Sequence, residues 1–354
     1  MLRPAAAYFH AVPAFVADRL GIYVHLDPEA LRTVVYVGLE ANGKFLPLGT
    51  GFIIGVRHKE SDFHFIATAD HVVDLVTGPS IWVRMNTRDG VAGPTMKIEK
   101  NAKLPIDRKL DLAILPLPQI GPTYMAGSIL IDRVQYNSIL EDIWKPELGL
   151  EVATVGLYTS HFGQVKNIPV VRVGHIALLP DEPVLTTRGF IQAYLVETRT
   201  IAGLSGSPVF LNIPHMRVHG TKVEIREGIG LVLMGMMLGY HLVASADDQI
   251  IVPANQGDDA RSGKPSLDDR NTGFAVVIPI ERIFDVMESD DIKKALDGAI
   301  DRDLRGARYR EAGAALKPVS AAKIDPSPKD ENPQHREDFT SLLGKAARTP
   351  PQDG

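Results

Sequence analysis

Short apolar runs separated by polar turns repeat along most of the chain, and they predict strands rather than long helices. Residues 33–40 (TVVYVGLE) and 45–56 (FLPLGTGFIIGV) flank Ala41-Asn42-Gly43-Lys44, whose Asn-Gly pair is a hairpin-turn signal. Residues 63–69 (FHFIATA) predict a third strand, which runs into Asp70-His71-Val72-Val73, a sequence that can start a short helix. Further strands are predicted at 81–85 and 112–115, with a turn at Asp89-Gly90 and stops at Pro116 and Pro118. Residues 119–147 carry no regular pattern. A second set then follows at 152–158, 170–179, 191–198, 207–211, 229–238 and 274–278. Two successive sets of short strands predict an all-β fold of two six-stranded antiparallel barrels.

The rest of the pattern fills in the domain plan. Residues 1–32 form a lead-in, 33–147 the first barrel, and 148–298 the second barrel with a C-terminal helix. Helical spacing of Ile283, Phe284, Met287, Ile292 and Leu296 over 281–296 predicts that helix. Two polar segments, 215–227 and 247–271, interrupt the second barrel, and the latter has the Asp/Gly/Ser/Pro content of a surface loop. Residues 299–354 become charged and Pro/Ala-rich, which predicts a disordered tail. Within it, Phe339, Leu342 and Leu343 fall on one face of a helical turn at 336–346. This is either residual helicity or a docking helix for a protein partner.

Composition narrows the function classes. The 354 residues include 31 glycines and 25 prolines, in keeping with many turns, and no cysteine. Disulfides, thiolate metal sites and a cysteine nucleophile are therefore excluded. The net charge of −5 comes from interspersed charges without a basic stripe, so nucleic acid is not an expected partner. No run reaches the ~18 apolar residues a membrane span requires. The first 18 residues make a poor signal peptide, interrupted by His10 and Pro13. The expected compartment is the cytoplasm, ahead of the periplasm or the exterior.

One stretch carries the candidate chemistry. In Gly203-Leu204-Ser205-Gly206-Ser207-Pro208 two glycines and a proline shape a tight loop that displays Ser205 between strands. Alone, it is either a nucleophile loop or an ordinary Gly/Ser turn. A serine nucleophile needs a base, normally histidine, and a group that orients the base. Of the eleven histidines, His71 alone combines a strand end with the context Ala67-Thr68-Ala69-Asp70-His71-Val72-Val73. Asp111 opens the apolar run Leu112-Ala113-Ile114-Leu115, either as a strand-end turn residue or as the orienting acid.

These blocks resemble those of trypsin-like serine proteases. The stretch from Ala67 to Val73 is similar to their T-A-x-H-V block, Asp111 to Leu115 to their D-x-A-x-L block, and Gly203 to Pro208 to their G-x-S-G-G-P block. The order His, Asp, Ser is that of the chymotrypsin type. Four framework segments resemble the cysteine-free bacterial HtrA/Deg-like branch: Gly49-Thr50-Gly51-Phe52, GLEVATVG at 149–156, VRVGHI at 171–176, and Gly273-Phe274-Ala275 through Ile278-Pro279. The resemblance implies a trypsin-like double barrel and a serine endopeptidase with His71, Asp111 and Ser205 as triad. It also implies an oxyanion hole from the backbone N–H groups of Gly203 and Ser205, a polypeptide substrate, and no metal or organic cofactor. Two departures stand out. Leu204 occupies the position of an Asp that in secreted trypsins pairs with a new N-terminus. The composition after residue 290 does not suit a PDZ domain.

The resemblance places Met236-Met237-Leu238-Gly239-Tyr240 along the primary pocket, with Leu238, Gly239 and Tyr240 as substrate-binding residues and an apolar preference before the cut. Arg199 falls near the pocket floor; turned inward it would favour an acidic residue, and otherwise it leaves for solvent. Two alternatives keep the fold but change the function: a non-catalytic peptide-binding module, and an esterase or acyltransferase using the same three residues.

Overall fold

The computed structural model describes residues 3–6, 8–9, 28–104, 106–117, 124–140, 145–199, 201, 203–213, 216–219, 222–225, 231–245, 248–252 and 271–313. The chain divides into two units, 1–301 and 302–354. Both sets of strands lie in the first.

The first set comprises β1 (Val34–Ala41), β2 (Lys44–His58), β3 (Ser61–Ala69), β4 (Ser80–Arg84), β5 (Met96–Glu99) and β6 (Leu112–Pro116). Strand β2 pairs with β1 and β3, β3 with β6, β1 with β4, and β4 with β5, all antiparallel. Strands β5 and β6 do not form a ladder. The Leu104 N–H, just beyond β5, donates to the Ile114 carbonyl at 2.9 Å across that gap. The turn between β1 and β2 has Asn42 and Gly43 at φ 53° and 71°, the two left-handed residues that a type I′ hairpin needs.

The second set comprises β7 (Glu151–Leu157), β8 (Pro169–Leu178), β9 (Tyr194–Glu197), β10 (Pro208–Asn212), β11 (Leu231–Ser245) and β12 (Asn271–Pro279). Its pairing order repeats that of the first set, β8 with β7 and β9, β9 with β12, β7 with β10, and β10 with β11. Here β11 also pairs with β12, so the barrel closes. One closed barrel and one barrel open along a single seam, wired alike, constitute the trypsin-like double barrel. Strand residues of both barrels are fully buried, among them Phe52, Ile54, Ile66 and Ile114 in the first and Val155, Val196, Phe210 and Val277 in the second.

Several predicted elements differ in detail. The single helix read over 281–296 is two, α1 (Ile280–Met287) and α2 (Asp290–Gly313). The chain turns at Glu288 and Ser289 so that Ile283, Phe284 and Met287 bury against the barrel while Ile292 and Leu296 start a second face. Residues 299–313, expected to lack structure, continue α2, and the proposed docking helix at 336–346 lies outside the described residues. The stretch 191–198 is divided at Ala193. Residues Gly189–Gln192 pair locally with Pro183–Thr186, and only Tyr194–Glu197 enters the barrel. Residues 119–147 contain a strand, Gly127–Leu130, that pairs in parallel with β2, and a helix, Arg133–Leu140. The two polar insertions contain strands as well, a hairpin of Met216–His219 with Lys222–Ile225, and Asp248–Val252 beside β11.

The barrels meet along a polar seam. Tyr36 on β1 is fully buried, and its hydroxyl donates to the Tyr158 carbonyl at 3.0 Å. Arg84 on β4 lies 5.2–5.4 Å from the ring centres of Tyr36, Phe45 and Phe162. Its Nε donates to the Asn167 side chain at 2.8 Å. Burial pushes the Tyr36 hydroxyl from 10.0 up to about 12, against the opposing pull of Arg84. A phenol whose pKa is raised by folding stabilises the fold fully below pH 10, and the contribution is lost as pH rises toward 12. Unfolding free energy measured by urea titration should therefore fall by about 2–3 kcal/mol across that window. In Tyr36→Phe the slope should be shallower and the neutral-pH stability about 1 kcal/mol lower.

Candidate active site

His71 and Asp111 are brought together by adjacent strands of the first barrel. Strand β3 ends at Ala69, opposite Leu112 at the start of β6. The next residue on β3's side begins a one-turn helix, Asp70–Asp74, that carries His71. Asp111 ends a 3-10 turn, Arg108–Leu110, capped by the Asp107 carboxylate, which accepts from the Lys109 N–H at 3.0 Å. Asp111 itself has φ 50° and ψ 33°. That left-handed conformation costs most residues ~1–2 kcal/mol and suits Asp better than most. It turns the carboxylate back onto the helix. The His71 N–H donates to Asp111 Oδ1 at 2.9 Å, and His71 Nδ1 lies 2.7 Å from Oδ2. The second bond places the proton on Nδ1 and leaves Nε2 with a lone pair.

Ser205 comes from the second barrel. Two i→i+3 turns follow each other, Leu204 N–H to the Ile201 carbonyl at 3.3 Å and Ser207 N–H to the Leu204 carbonyl at 3.0 Å. Their third residues, Gly203 and Gly206, have φ 97° and 86°, as type II turns require. A Cβ on Gly206 would lie 2.1 Å from the Thr50 carbonyl oxygen and 3.0 Å from the Ala69 nitrogen, so glycine is needed for space as well as for φ. Those neighbours set Ser205 against the end of β3, beside the His71 helix. The loop is sewn to β11 by Gly206 N–H to the Met237 carbonyl at 2.8 Å and Met237 N–H to the Ser207 carbonyl at 2.9 Å.

Ser205 is 1 % exposed, His71 8 % and Asp111 6 %. The Ser205 hydroxyl and His71 Nε2 are buried, and neither has a hydrogen-bond partner. The structure thus brings the three residues to one seam and joins His71 to Asp111, but leaves the serine–histidine bond open. Among the described residues, the amides of Gly203 and Ser205 donate to no carbonyl. Leu238 and Tyr240 are buried in β11, and Gly239 lies between them at a register shift against β12. Tyr240 pairs with Ala275 on one side and Val252 on the other. Arg199 is exposed. Among the described residues no group of acidic or histidine side chains could hold a metal ion, and no helix is long and apolar enough to cross a membrane.

Three contributors escape motif reading. Thr50, fully buried on β2, accepts from the Leu157 N–H at 2.9 Å and donates its hydroxyl to the Gly203 carbonyl at 2.7 Å. Its own N–H donates to the Ser205 carbonyl at 3.0 Å. Asp70, buried beside His71, binds Lys103 and Arg188. Burial pushes its carboxyl up, but these hydrogen bonds and charges prevail and hold it below the usual range. Arg188, at the tip of the 183–192 hairpin, also pairs with Asp74 at 2.7 Å and with Asp111 Oδ1 at 3.3 Å. Thr50 and Asp70 lie inside motif blocks, where they read as framework; Arg188 carries no sequence signal beyond a turn position before Gly189.

No family model matches the chain, and no curated protein matches it. Among solved structures, the chain is similar to the MamO protease domain from Magnetospirillum magneticum, with 15% identity and a TM-score of 0.43, over 75% of this chain and 100% of that one. It is also similar to an inactive form of the Rv3671c protease, with 15% identity and a TM-score of 0.38, over 73% and 88% of the two chains. A mutant of Rv3671c from M. tuberculosis H37Rv, also an inactive form, aligns at 14% identity with a TM-score of 0.36, over 73% and 87%.

Replacing Thr50 by the isosteric valine strands the Leu157 amide and the Gly203 carbonyl in a dry seam. The expected loss is about 2–4 kcal/mol of stability, most of it recovered in Thr50→Ser, as measured by urea unfolding.

Proposed function

We propose that the chain is a serine endopeptidase that works through His71, Asp111 and Ser205. The observation that carries this reading is the buried His71–Asp111 pair, bonded at 2.7 Å, with Nε2 and the Ser205 hydroxyl both unpartnered at the same seam. An aspartate that fixes the imidazole tautomer is what a histidine base needs. Buried polar atoms without partners are uncommon and call for a functional explanation. In the reaction, Nε2 takes the Ser205 proton as Oγ attacks the peptide carbonyl. The N–H groups of Gly203 and Ser205 receive the oxyanion. His71 then protonates the leaving amine, and water releases the acyl group. No hydrogen bond joins Ser205 and His71, and substrate binding would draw the two side chains together, as catalytic hydrogen bonds often tighten in the Michaelis complex.

Substrate would pair with β11 at Leu238 and Gly239, between the part held by the Ser205 loop and Tyr240, which is paired on both edges and borders the site, with an apolar preference before the cut. The described segment Asp248–Val252 meets this strand at Tyr240, so it borders the site. A protein partner for the tail through Phe339, Leu342 and Leu343, and a cytoplasmic location, remain part of the proposal.

A second reading is a non-catalytic peptide-binding module on the same fold, favoured by the open serine–histidine bond and the burial of Ser205. Covalent labelling with a fluorophosphonate separates the two. The expected result is an adduct on Ser205, located by peptide mass spectrometry and absent in Ser205→Ala. Labelling should slow by roughly 10⁴-fold in His71→Ala and Asp111→Asn. A folded wild type that never labels supports the binding module. Peptide against ester turnover by the same preparation distinguishes the endopeptidase from an esterase or acyltransferase.

A further inference from the structure

We infer that Arg188 is a positioning residue for this site, holding the Asp111 carboxylate from the opposite barrel; the inference rests on the triad reading above. Six charges meet where the 183–192 hairpin crosses the seam. Asp70, Asp74 and Asp111 supply three carboxylates, and Lys103, Arg108 and Arg188 three cations. The charges balance, but the partners are not interchangeable. Asp70 retains Lys103 without Arg188, and Asp74 retains Arg108 at 2.7 Å. Among the described residues, Asp111 pairs with His71 and with one permanent cation, Arg188.

The geometry divides the work at Asp111 between its two oxygens. Oδ2 takes the His71 ring and Oδ1 takes the His71 amide, so both hydrogen bonds come from one residue. They fix the carboxylate relative to His71 and leave the pair without an anchor on the second barrel, where Ser205 sits. Arg188 Nε at 3.3 Å from Oδ1 is that anchor. A guanidinium is suited to it because one planar group serves three carboxylates at once: Nη1 and Nη2 donate to Asp70 and Asp74, while the charge lies against Asp111, with Nε in an ion pair 3.3 Å from Oδ1. A lysine would reach one of them at a time.

The arginine is itself held. The Arg188 N–H donates to the Thr186 hydroxyl at 3.1 Å, and that hydroxyl donates to the Gly189 carbonyl at 2.7 Å. Gly189 has φ 111°, a conformation that favours glycine. The hairpin tip is thus a rigid mount. Burial lowers the proton affinity of the guanidinium, but Asp70, Asp111 and Asp74 raise it further, so its charge is constant. The alignment of acid and base therefore depends on docking of a hairpin that contains none of the three triad residues.

The test compares Arg188→Gln and Arg188→Lys with the wild-type chain, and uses Arg108→Gln as the control that removes a cation of the same network without touching Asp111. Two readouts are needed: the maximal rate and half-saturation of fluorophosphonate labelling at Ser205, and the low-field proton resonance of the His71 Nδ1–H bonded to Asp111. In Arg188→Gln the maximal rate should fall between about ten-fold and about a hundred-fold with half-saturation unchanged, as for a displaced but intact site. The low-field resonance should broaden or vanish. Arg188→Lys should recover part of both, and Arg108→Gln should match the wild type. A folded Arg188→Gln that keeps the rate and the resonance overturns the inference. If Arg188→Gln does not fold, Arg188→Lys decides, since wild-type values for it also overturn the inference. If the wild type does not label, the protease reading fails, and the resonance in the same variants still decides whether Arg188 positions Asp111.

Discussion

The site depends on one buried side chain at the barrel seam, Thr50. Its hydroxyl satisfies the Leu157 amide and the Gly203 carbonyl, and its backbone amide holds the Ser205 carbonyl. Its own carbonyl accepts from the Thr68 hydroxyl at 2.7 Å, on the strand that leads to His71. One residue of β2 thereby connects its own barrel, the last residue of β7 and the loop that carries the serine. Each of these groups would cost about 1–3 kcal/mol if left unpaired away from water. The loop consequently has few low-energy positions other than the one seen.

The two halves of the site differ in how they are held. His71 and Asp111 flank the paired ends of β3 and β6 in one barrel, so their bond follows from that ladder. Ser205 and His71 belong to different barrels, and no hydrogen bond joins their side chains. Around them the seam carries directional contacts beside the apolar core that the two barrels share: Tyr36 to Tyr158, Arg84 to Asn167, and Arg188 to three carboxylates. Such contacts specify one relative placement of the barrels, because a small slide loses several of them together while gaining nothing in exchange.

Much of the fold was legible because period-two alternation and turn chemistry are local. Asn42-Gly43 announces its hairpin, and the strand cores from 33 to 85 and from 152 to 278 fall near their predicted places. Misreadings cluster where tertiary partners override local pattern. Met96–Glu99 is too short to show alternation, and it is a strand because β4 offers it a ladder. Residues 189–197 look uniform in sequence, yet the chain assigns their first part to a local hairpin and their second to the barrel. Nothing in the spacing of 281–296 marks the break at Glu288 and Ser289, where the Glu288 N–H donates to the Phe284 carbonyl at 2.8 Å and the Ser289 N–H to the Val286 carbonyl at 3.2 Å. Leu204 illustrates the reverse case: no acid stands there, and the structure buries its side chain in the core.

By itself the sequence determined the strand sets and the tight glycine loop, and it singled out His71, Asp111 and Ser205 as candidates, since each of these is encoded within a few consecutive positions. Only the tertiary structure decided that Asp111 turns onto His71 through a left-handed backbone, that Ser205 rests unpartnered beside them, and that Arg188 reaches across from a hairpin 77 residues further along the chain. The reason is physical: these are long-range contacts in a water-poor seam, where the cost of unpaired charge and unpaired polar groups selects partners without regard to their distance in sequence.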